Sequence, residues 1–328
     1  MLGYHPFPGL RQRNGQMAGR CAACHVPRMT PPPALTSATW GLLIALAILW
    51  GGSFFFVGVA VREWPPLMIV LARVGLASLA LWGLVMAFGL SVRRDGPALR
   101  AHLGMAVLNN VLPFTLIVWA QSPDPGGGLP SGLASILNAT TPLWGVLLAN
   151  ALGAERASGL RVAGVLTGFL GVAVMVGADL SAAPPGATLA MLAATFCYGS
   201  AGLWGRRFKA LGIPPLIAAA GQTGVATLLI LPLALWFHVP SLPGPATAAA
   251  LLGLALLSTA LAYLLYFRIL DIAGPVNLLL VTLLIPVVAI GLGIAVLGER
   301  MGPHHGAGLG LIALGLVLID GRLLQRRP

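Results

Sequence analysis

Apolar residues fall into ten long runs, at about 40–61, 67–90, 102–121, 130–152, 159–178, 187–205, 214–237, 246–270, 275–297 and 304–320. Each is near the roughly 20 residues that a helix needs to cross the hydrocarbon core of a bilayer. The connections are short and rich in Pro and Gly, as in Trp64-Pro65-Pro66, Pro184-Pro185-Gly186 and Pro214-Pro215. The pattern predicts an all-α membrane protein with ten transmembrane helices. A polar segment at each end stands outside it. Residues 1–39 read as a disordered cytoplasmic extension and residues 321–328 as a basic cytoplasmic tail.

Two of the runs are variants of one pattern. Residues 131–156 carry Asn138, Thr140 and Thr141 directly before Pro142, in mid-span, and end in Glu155-Arg156. Residues 274–300 carry Thr282 before Pro286 and end in Glu299-Arg300. Pro142 and Pro286 lie 144 positions apart, as do Glu155 and Glu299, Gly164 and Gly308, and Gly171 and Gly315. One offset shared by so many landmarks marks a duplication, with one repeat over 40–178 and a second over 187–320. Each repeat holds five helices, an odd number, so the second copy sits upside down in the membrane. Inverted repeats place a solute path at their interface near the midplane, with alternating access by rocking of one half on the other. The first copy is longer by about six residues between Ala120 and Pro142. The Pro- and Gly-rich stretch 122–128 supplies the difference and reads as a tolerated outer loop rather than a gate.

Composition removes the soluble classes. Charged residues make up 8% of the 328, and hydrophobic ones 58%, whereas soluble domains carry about 25% charged residues. The net charge of +11 does not imply nucleic acid, because the basic residues lie in short clusters between apolar runs. With the amino end inside, the inner segments carry Arg93, Arg94, Arg100, Arg156, Arg161, Arg206, Arg207, Lys209, Arg268 and the arginines of both termini; the outer ones carry only Arg62 and Arg300. Positive charge inside therefore predicts a multi-pass protein of the bacterial cell inner membrane with both termini cytoplasmic. Three cysteines give no disulfide framework. Cys21, Cys24 and His25 form a C-x-x-C-H, which in an exported protein marks haem attachment. A membrane redox protein with haem at 21–25 is thus the rival from a different class. Four nearby arginines hold this end inside, and no domain surrounds it to bury a haem. A start at Met29 would remove it altogether.

Further residues now form a recognisable set. They are Leu49-Trp50-Gly51-Gly52-Ser53-Phe54, Arg73, the stretch from Ser131-Gly132-Leu133-Ala134 to Pro142-Leu143, the Gly-Ala-Glu-Arg boundary, Ala262-Tyr263, Gly274-Pro275-Val276 and the Leu-Gly-Glu-Arg boundary at 297–300. Over about residues 40–320 the chain resembles the EamA-type proteins of the drug/metabolite transporter superfamily, with two EamA-like units. The resemblance implies ten helices and small-solute transport, often export of amino acids or other metabolites, without naming a substrate. The 122–128 insert and the long amino-terminal extension depart from the family pattern.

No catalytic constellation is present, and no cofactor or metal is expected. The acidic residues Glu63, Asp95, Asp124, Glu155, Asp179, Asp271, Glu299 and Asp320 all fall in loops or at the expected helix ends. None stands at a midplane, where a carboxylate couples transport to protons. This favours facilitated transport or a subtler coupling. Arg73 is the one basic residue inside a span, roughly 9 Å from the helix start at about 1.5 Å per residue. It either snorkels or bonds structurally, or it draws a carboxylate or phosphate into a cavity. A nucleotide-sugar or phosphorylated-solute carrier, the runner-up, would want a second cation beside it. Pro142 frees the carbonyl of Asn138. Asn138, Thr140 and Thr141 either re-satisfy the backbone or offer amide, hydroxyl and bare carbonyl to a solute. Pro142 and Pro286 are thus candidate kink and gating positions. Asn109 and Asn110 point about 100° apart on a helix, so at most one faces a cavity. Gln222 and Asn277 are lone amides, read as interhelical bonds or ligands. Trp50, Trp119, Tyr198 and Tyr263 could line the cavity, and Trp50 and Tyr198 correspond between copies. The substrate-binding set is therefore Trp50, Arg73, Asn109, Asn110, Trp119, Asn138, Thr141, Tyr198, Gln222, Tyr263, Asn277 and Thr282. Gly164-x-x-x-Gly168 and Gly306-x-x-x-Gly310 lie in helices 5 and 10, where small residues allow close packing, either within the chain or in a homodimer.

Overall fold

A computed structural model describes residues 36–124, 127–152, 158–178, 184–236, 242–278 and 281–320. Residues 1–35, with Cys21, Cys24 and His25, lie outside the described residues. So do the tail 321–328 and the pair Glu155-Arg156.

Among the described residues every regular element is helical. Helix α1 spans Ser37–Ala60, α2 Pro66–Ala87 and α3 Gly96–Gln121, with a π-helical stretch at Val107–Val111. Helix α4 comes in two pieces, Ser131–Asn138 and Thr141–Ala151. Helix α5 spans Gly159–Ala178, and α6 spans Pro185–Trp204, followed by the short turn Arg206–Ala210. Helix α7 spans Pro215–Leu235. Helix α8 starts as Pro245–Leu252, passes through a π stretch at Gly253–Leu261 and ends as Ala262–Leu278. Helix α9 is Val281–Leu292 with a π stretch at Gly293–Leu297, and α10 is Pro303–Asp320. Seven of these, α1 to α4 and α6 to α8, are long and apolar enough to cross a membrane; α5, α9 and α10 contain shorter apolar stretches.

The starts follow from local chemistry. Thr36 Oγ1 accepts the Thr39 N–H at 3.2 Å, which caps the first turn of α1 and draws residues 37–39 out of the expected disordered extension. Asp95 Oδ1 accepts the Ala98 N–H at 3.1 Å and so starts α3 ahead of its apolar run. Proline in the first turn, where its missing N–H is no loss, opens α2, α3, α6, α7 and α8. One boundary differs more. The sequence reading ends a run at 270 and begins the next at 275, but Ala262–Leu278 is continuous helix through Gly274-Pro275. Membrane helices tolerate such a pair where neighbours pack on them. The change moves Asp271 from an expected helix end into the body of α8; its side chain lies outside the described residues.

Helix α1 packs on α8 and α9, α6 on α3 and α4, α2 on α7, and α5 on α10. A core of Leu43, Leu46, Leu133, Ile136, Leu137, Met191 and Ile285 joins the central helices. The α5–α10 contact is made by glycines. A methyl group added at Gly164 would lie 2.6 Å from the Gly315 carbonyl oxygen, and one at Gly171 would lie 2.6 Å from that of Gly308. Gly168 points toward Leu143 while its backbone lies 2.8 Å from where a methyl group on Gly315 would sit, and Gly306 and Gly310 have open space beside them.

The connections sort onto two faces. On the first, the Gly244 N–H donates to Glu63 Oε1 at 2.8 Å, and the Ser131 and Gly132 N–H groups donate to the two Glu299 oxygens at 2.6 and 3.0 Å. Gly298, in a left-handed turn at φ 71°, leads out of α9 and sets Glu299 against the start of α4. On the second face, Arg93 Nη1 donates to the Leu211 carbonyl at 3.1 Å and Trp204 Nε1 to that of Ala101 at 3.1 Å. That face also carries Arg94, Arg206, Arg207 and Lys209.

Candidate functional site

Between the two faces lies a cavity of about 210 Å3. Helix α1 contributes Trp50, Ser53 and Phe54, α2 Arg73, α3 Asn109, Phe114 and Ile117, and α4 Asn138 and Thr141. From the second half come Tyr198 on α6, Ser258, Thr259 and Tyr263 on α8, and Thr282 and Ile285 on α9. A wider groove of about 800 Å3 runs along α2, α3 and α7, but its wall is mostly apolar, as in Leu71, Leu76, Leu79, Val225, Leu228 and Leu231. Its arginines, Arg93 and Arg94, lie in the exposed α2–α3 connection, Arg93 already paired with Asp95. A solute site needs a few convergent polar groups in an apolar shell, and it is the smaller cavity that has them.

Arg73 makes a structural bond and also lines the cavity. Its side chain is buried, 5% exposed. Nε donates to Thr259 Oγ1 at 3.0 Å, and the guanidinium lies flat on Phe114, 3.6 Å from the ring centroid, an arrangement that suits a weakly hydrated planar cation. Thr259 is placed by the π stretch of α8 and donates its own hydroxyl proton to the Leu254 carbonyl at 2.8 Å. The π stretch of α3 presents Asn109 and Asn110. Such bulges leave backbone out of the regular ladder and recur at functional sites.

Asn109 faces the cavity, whereas Asn110 is fully buried behind it. Asn109 Nδ2 donates to Gln222 Oε1 and to the Tyr263 hydroxyl, both at 3.0 Å. Asn110 Nδ2 donates to the same Gln222 oxygen at 3.1 Å, and Tyr263 donates to Asn110 Oδ1 at 3.2 Å. Gln222 and Asn110 thus do not line the cavity; they hold Asn109 and Tyr263 in place, as buried polar groups that must find partners. Trp119 also stands apart. It lies near the far end of α3, with its ring 3.7 Å from where a methyl group on Gly186 would sit, and it packs on the apolar core. The side chain of Asn277 lies outside the described residues.

The broken helix α4 shows which hydrogen bonds form around Pro142. The Asn138 carbonyl that Pro142 frees is not bare: Thr141 Oγ1 donates to it at 2.8 Å. Thr140 does the same for the Leu137 carbonyl at 2.7 Å. The hydroxyls therefore repair the backbone. The Asn138 side chain remains available, and its Oδ1 is buried without a hydrogen-bond partner. Pro286, by contrast, sits inside a continuous helix. Ser53, Phe54, Phe114, Ile117, Ser258, Thr259 and Ile285 also line the cavity, although the sequence reading does not select them as site residues. Ser53 and Phe54 stand in the Trp-Gly-Gly-Ser-Phe stretch and could have been found there. Ser258-Thr259 is an isolated hydroxyl pair in an apolar run, a weaker signal. No acidic side chain lines the cavity among the described residues.

A bundle of apolar helices around a polar, aromatic-walled cavity defines a helical membrane protein with an internal solute-sized site. The model of the EamA-like transporter family matches the chain twice, at residues 38–177 and 185–320. The chain belongs to that family and contains two of its units. It is 27% identical to a protein named "Uncharacterized inner membrane transporter YedA" of Escherichia coli K12, over 85% of this chain and 90% of that one. It is 28% identical to the "Probable terminal-alkyne amino-acid exporter" of Streptantibioticus cattleyicolor, over 89% of this chain and 96% of that one. It is 24% identical to the "Probable amino-acid metabolite efflux pump" of Escherichia coli K12, over 85% and 91%. A crystal structure with 22% identity superposes with a TM-score of 0.63, over 89% of this chain and 99% of that one, which shows the same fold.

Proposed function

We propose that the protein is an inner-membrane secondary transporter of small organic metabolites, amino acids or related solutes, working by alternating access between two inverted five-helix repeats. The observation that carries the reading is the cavity itself: both family units contribute side chains to it, and it joins a cation, amides and hydroxyls to aromatic walls. Exporter names among the relatives support the solute class.

The packing supports inversion. Gly164 meets Gly315 while Gly171 meets Gly308, so each glycine of one repeat faces the counterpart of the other member of the pair. This reciprocal pattern is what a two-fold axis between antiparallel elements produces. Likewise, Gly51 of α1 closes on Val288 of α9, and Gly199 of α6 closes on Trp144 of α4; residues 288 and 144 differ by the repeat offset. Ten spans, with the arginine-rich second face and both termini in the cytoplasm, follow from the positive-inside rule. Glu63 and Glu299 then lie outside.

Purified protein in liposomes supplies the test. Asn138→Ala and Trp50→Ala should each reduce solute flux about tenfold, as expected for loss of a buried polar or aromatic contact, without reducing the amount of protein in the membrane. Wild-type flux in both would show that the site lies elsewhere.

A further inference from the structure

We infer that Arg73 is an anion subsite, and that the solute held in this cavity carries a carboxylate. The inference rests on the transporter reading above and narrows its substrate class. Burial strips Arg73 of water, and a buried guanidinium is stable only with compensating partners. The partners present are neutral. Thr259 takes Nε, Phe114 takes one face, and the ion pair among the described residues is Arg93–Asp95, in a loop. The terminal nitrogens of the guanidinium, the two-pronged fork that binds carboxylates bidentately, meet no acid among the described residues. They belong to a side chain that lines the cavity, so an anion entering there completes the pairing.

The rest of the wall narrows the anion. No second cation joins Arg73 among the lining residues, so one negative charge is matched and the double charge of a phosphomonoester is not. The unpartnered Asn138 Oδ1 accepts a hydrogen bond from a donor on the solute. Trp50, Phe54 and Tyr198 present ring surface to its apolar part. A small monocarboxylate with an apolar or aromatic body fits all three.

Thermal protection of the purified protein by four probes tests this. Phenylacetate and phenylalanine carry the carboxylate; phenylacetamide and phenethylamine do not. The two carboxylates should bind about 10- to 100-fold more tightly than the other two, the range of a hydrogen bond to a charged group. Arg73→Lys keeps the charge but not the fork, and should cut that preference to a few-fold. Thr259→Val, which keeps Arg73 whole but releases Nε, should weaken carboxylate binding more than phenethylamine binding. Both variants are compared at equal membrane abundance and melting temperature without ligand. Equal binding of all four probes, no binding of either carboxylate, or an unchanged preference in Arg73→Lys would overturn the inference. Flux in liposomes separates it from the reading beneath. Wild-type protein that moves phenylacetamide as fast as phenylacetate keeps the transporter and sinks the carboxylate subsite. Carboxylate binding without any flux does the reverse.

Discussion

At the scale of single residues, Thr141 shows how a polar cluster divides its work. Its hydroxyl serves the carbonyl that Pro142 displaces, and by doing so it leaves the Asn138 side chain to the cavity. Thr141→Val keeps the shape and removes the donor. It should lower stability by about 1–3 kcal/mol, the cost of leaving a buried acceptor unpaired, while Thr141→Ser should retain most of it. Melting of the two variants in detergent checks this; equal melting temperatures would mean that water or another group can serve the Asn138 carbonyl. Trp50, Arg73, Asn109, Asn138, Thr141, Tyr198, Tyr263 and Thr282 were legible as polar or aromatic residues deep in apolar runs, and the structure brings all eight to one cavity. Asn110 and Gln222 carry the same signal but sit one layer behind, because residue type does not say whether an amide faces a solute or another amide. Phe114 and Ile117 could not be read at all, since on an apolar helix a cavity wall and a core position look alike.

At the scale of helices, the register of the glycines decides which surfaces close. Gly164 and Gly310 belong to two stretches that look the same in sequence, yet Gly164 touches the backbone of α10 and Gly310 touches nothing. Gly164→Leu should therefore force α5 and α10 apart and destabilise the protein by about 1–3 kcal/mol or more. Gly310→Leu should be near neutral in stability; if it instead abolishes self-association at unchanged melting, this face joins two copies. Caps act at the same scale. The Thr247 hydroxyl and the Gly244 N–H both donate to Glu63 and hold its carboxyl below the ordinary value of 4.5. Because the folded value is the lower one, this contact stabilises fully above pH 4.5 and is lost as pH falls through the folded value. The difference in melting temperature between wild type and Glu63→Gln should thus be largest at neutral pH and shrink below about pH 4.5. A difference that grows in acid would reverse the assignment. Helix existence was readable from run length, but the end of α8 was not. Gly274-Pro275 is a stop signal in water, whereas membrane helices tolerate such a pair, and Ala262–Leu278 runs straight through it.

For the whole molecule, the carboxylate of Glu299 is one of two, with Glu63, that tie the halves together on the first face. It reaches from the second family unit to the N-terminal N–H groups of α4 in the first, where a helix end favours negative charge. Beside it, a methyl group on Gly293 would lie 3.0 Å from Ser131 Oγ and would press on the Glu299 carboxylate, which must shift to admit it. If the halves rock about the cavity, this face must open in one state, and the start of α4 must leave Glu299 and Gly293. Cysteines at 131 and 293 fall within reach of a disulfide, whose Cβ atoms sit about 3.5–4.5 Å apart. In a protein whose Cys21, Cys24 and Cys197 are replaced by alanine, Ser131→Cys with Gly293→Cys should cross-link under oxidation and stop flux, and reduction should restore it. Neither single variant should lose flux on adding oxidant, whatever its rate without it, which separates locking from the displacement of Glu299 by a side chain at 293. The same lock should leave binding at Arg73 intact if the second face remains open, because the cavity lies between the faces and needs only one of them. Cross-linked protein that moves solute at the unlocked rate would mean that this face stays closed throughout the cycle, and the rocking of inverted halves would have to be given up.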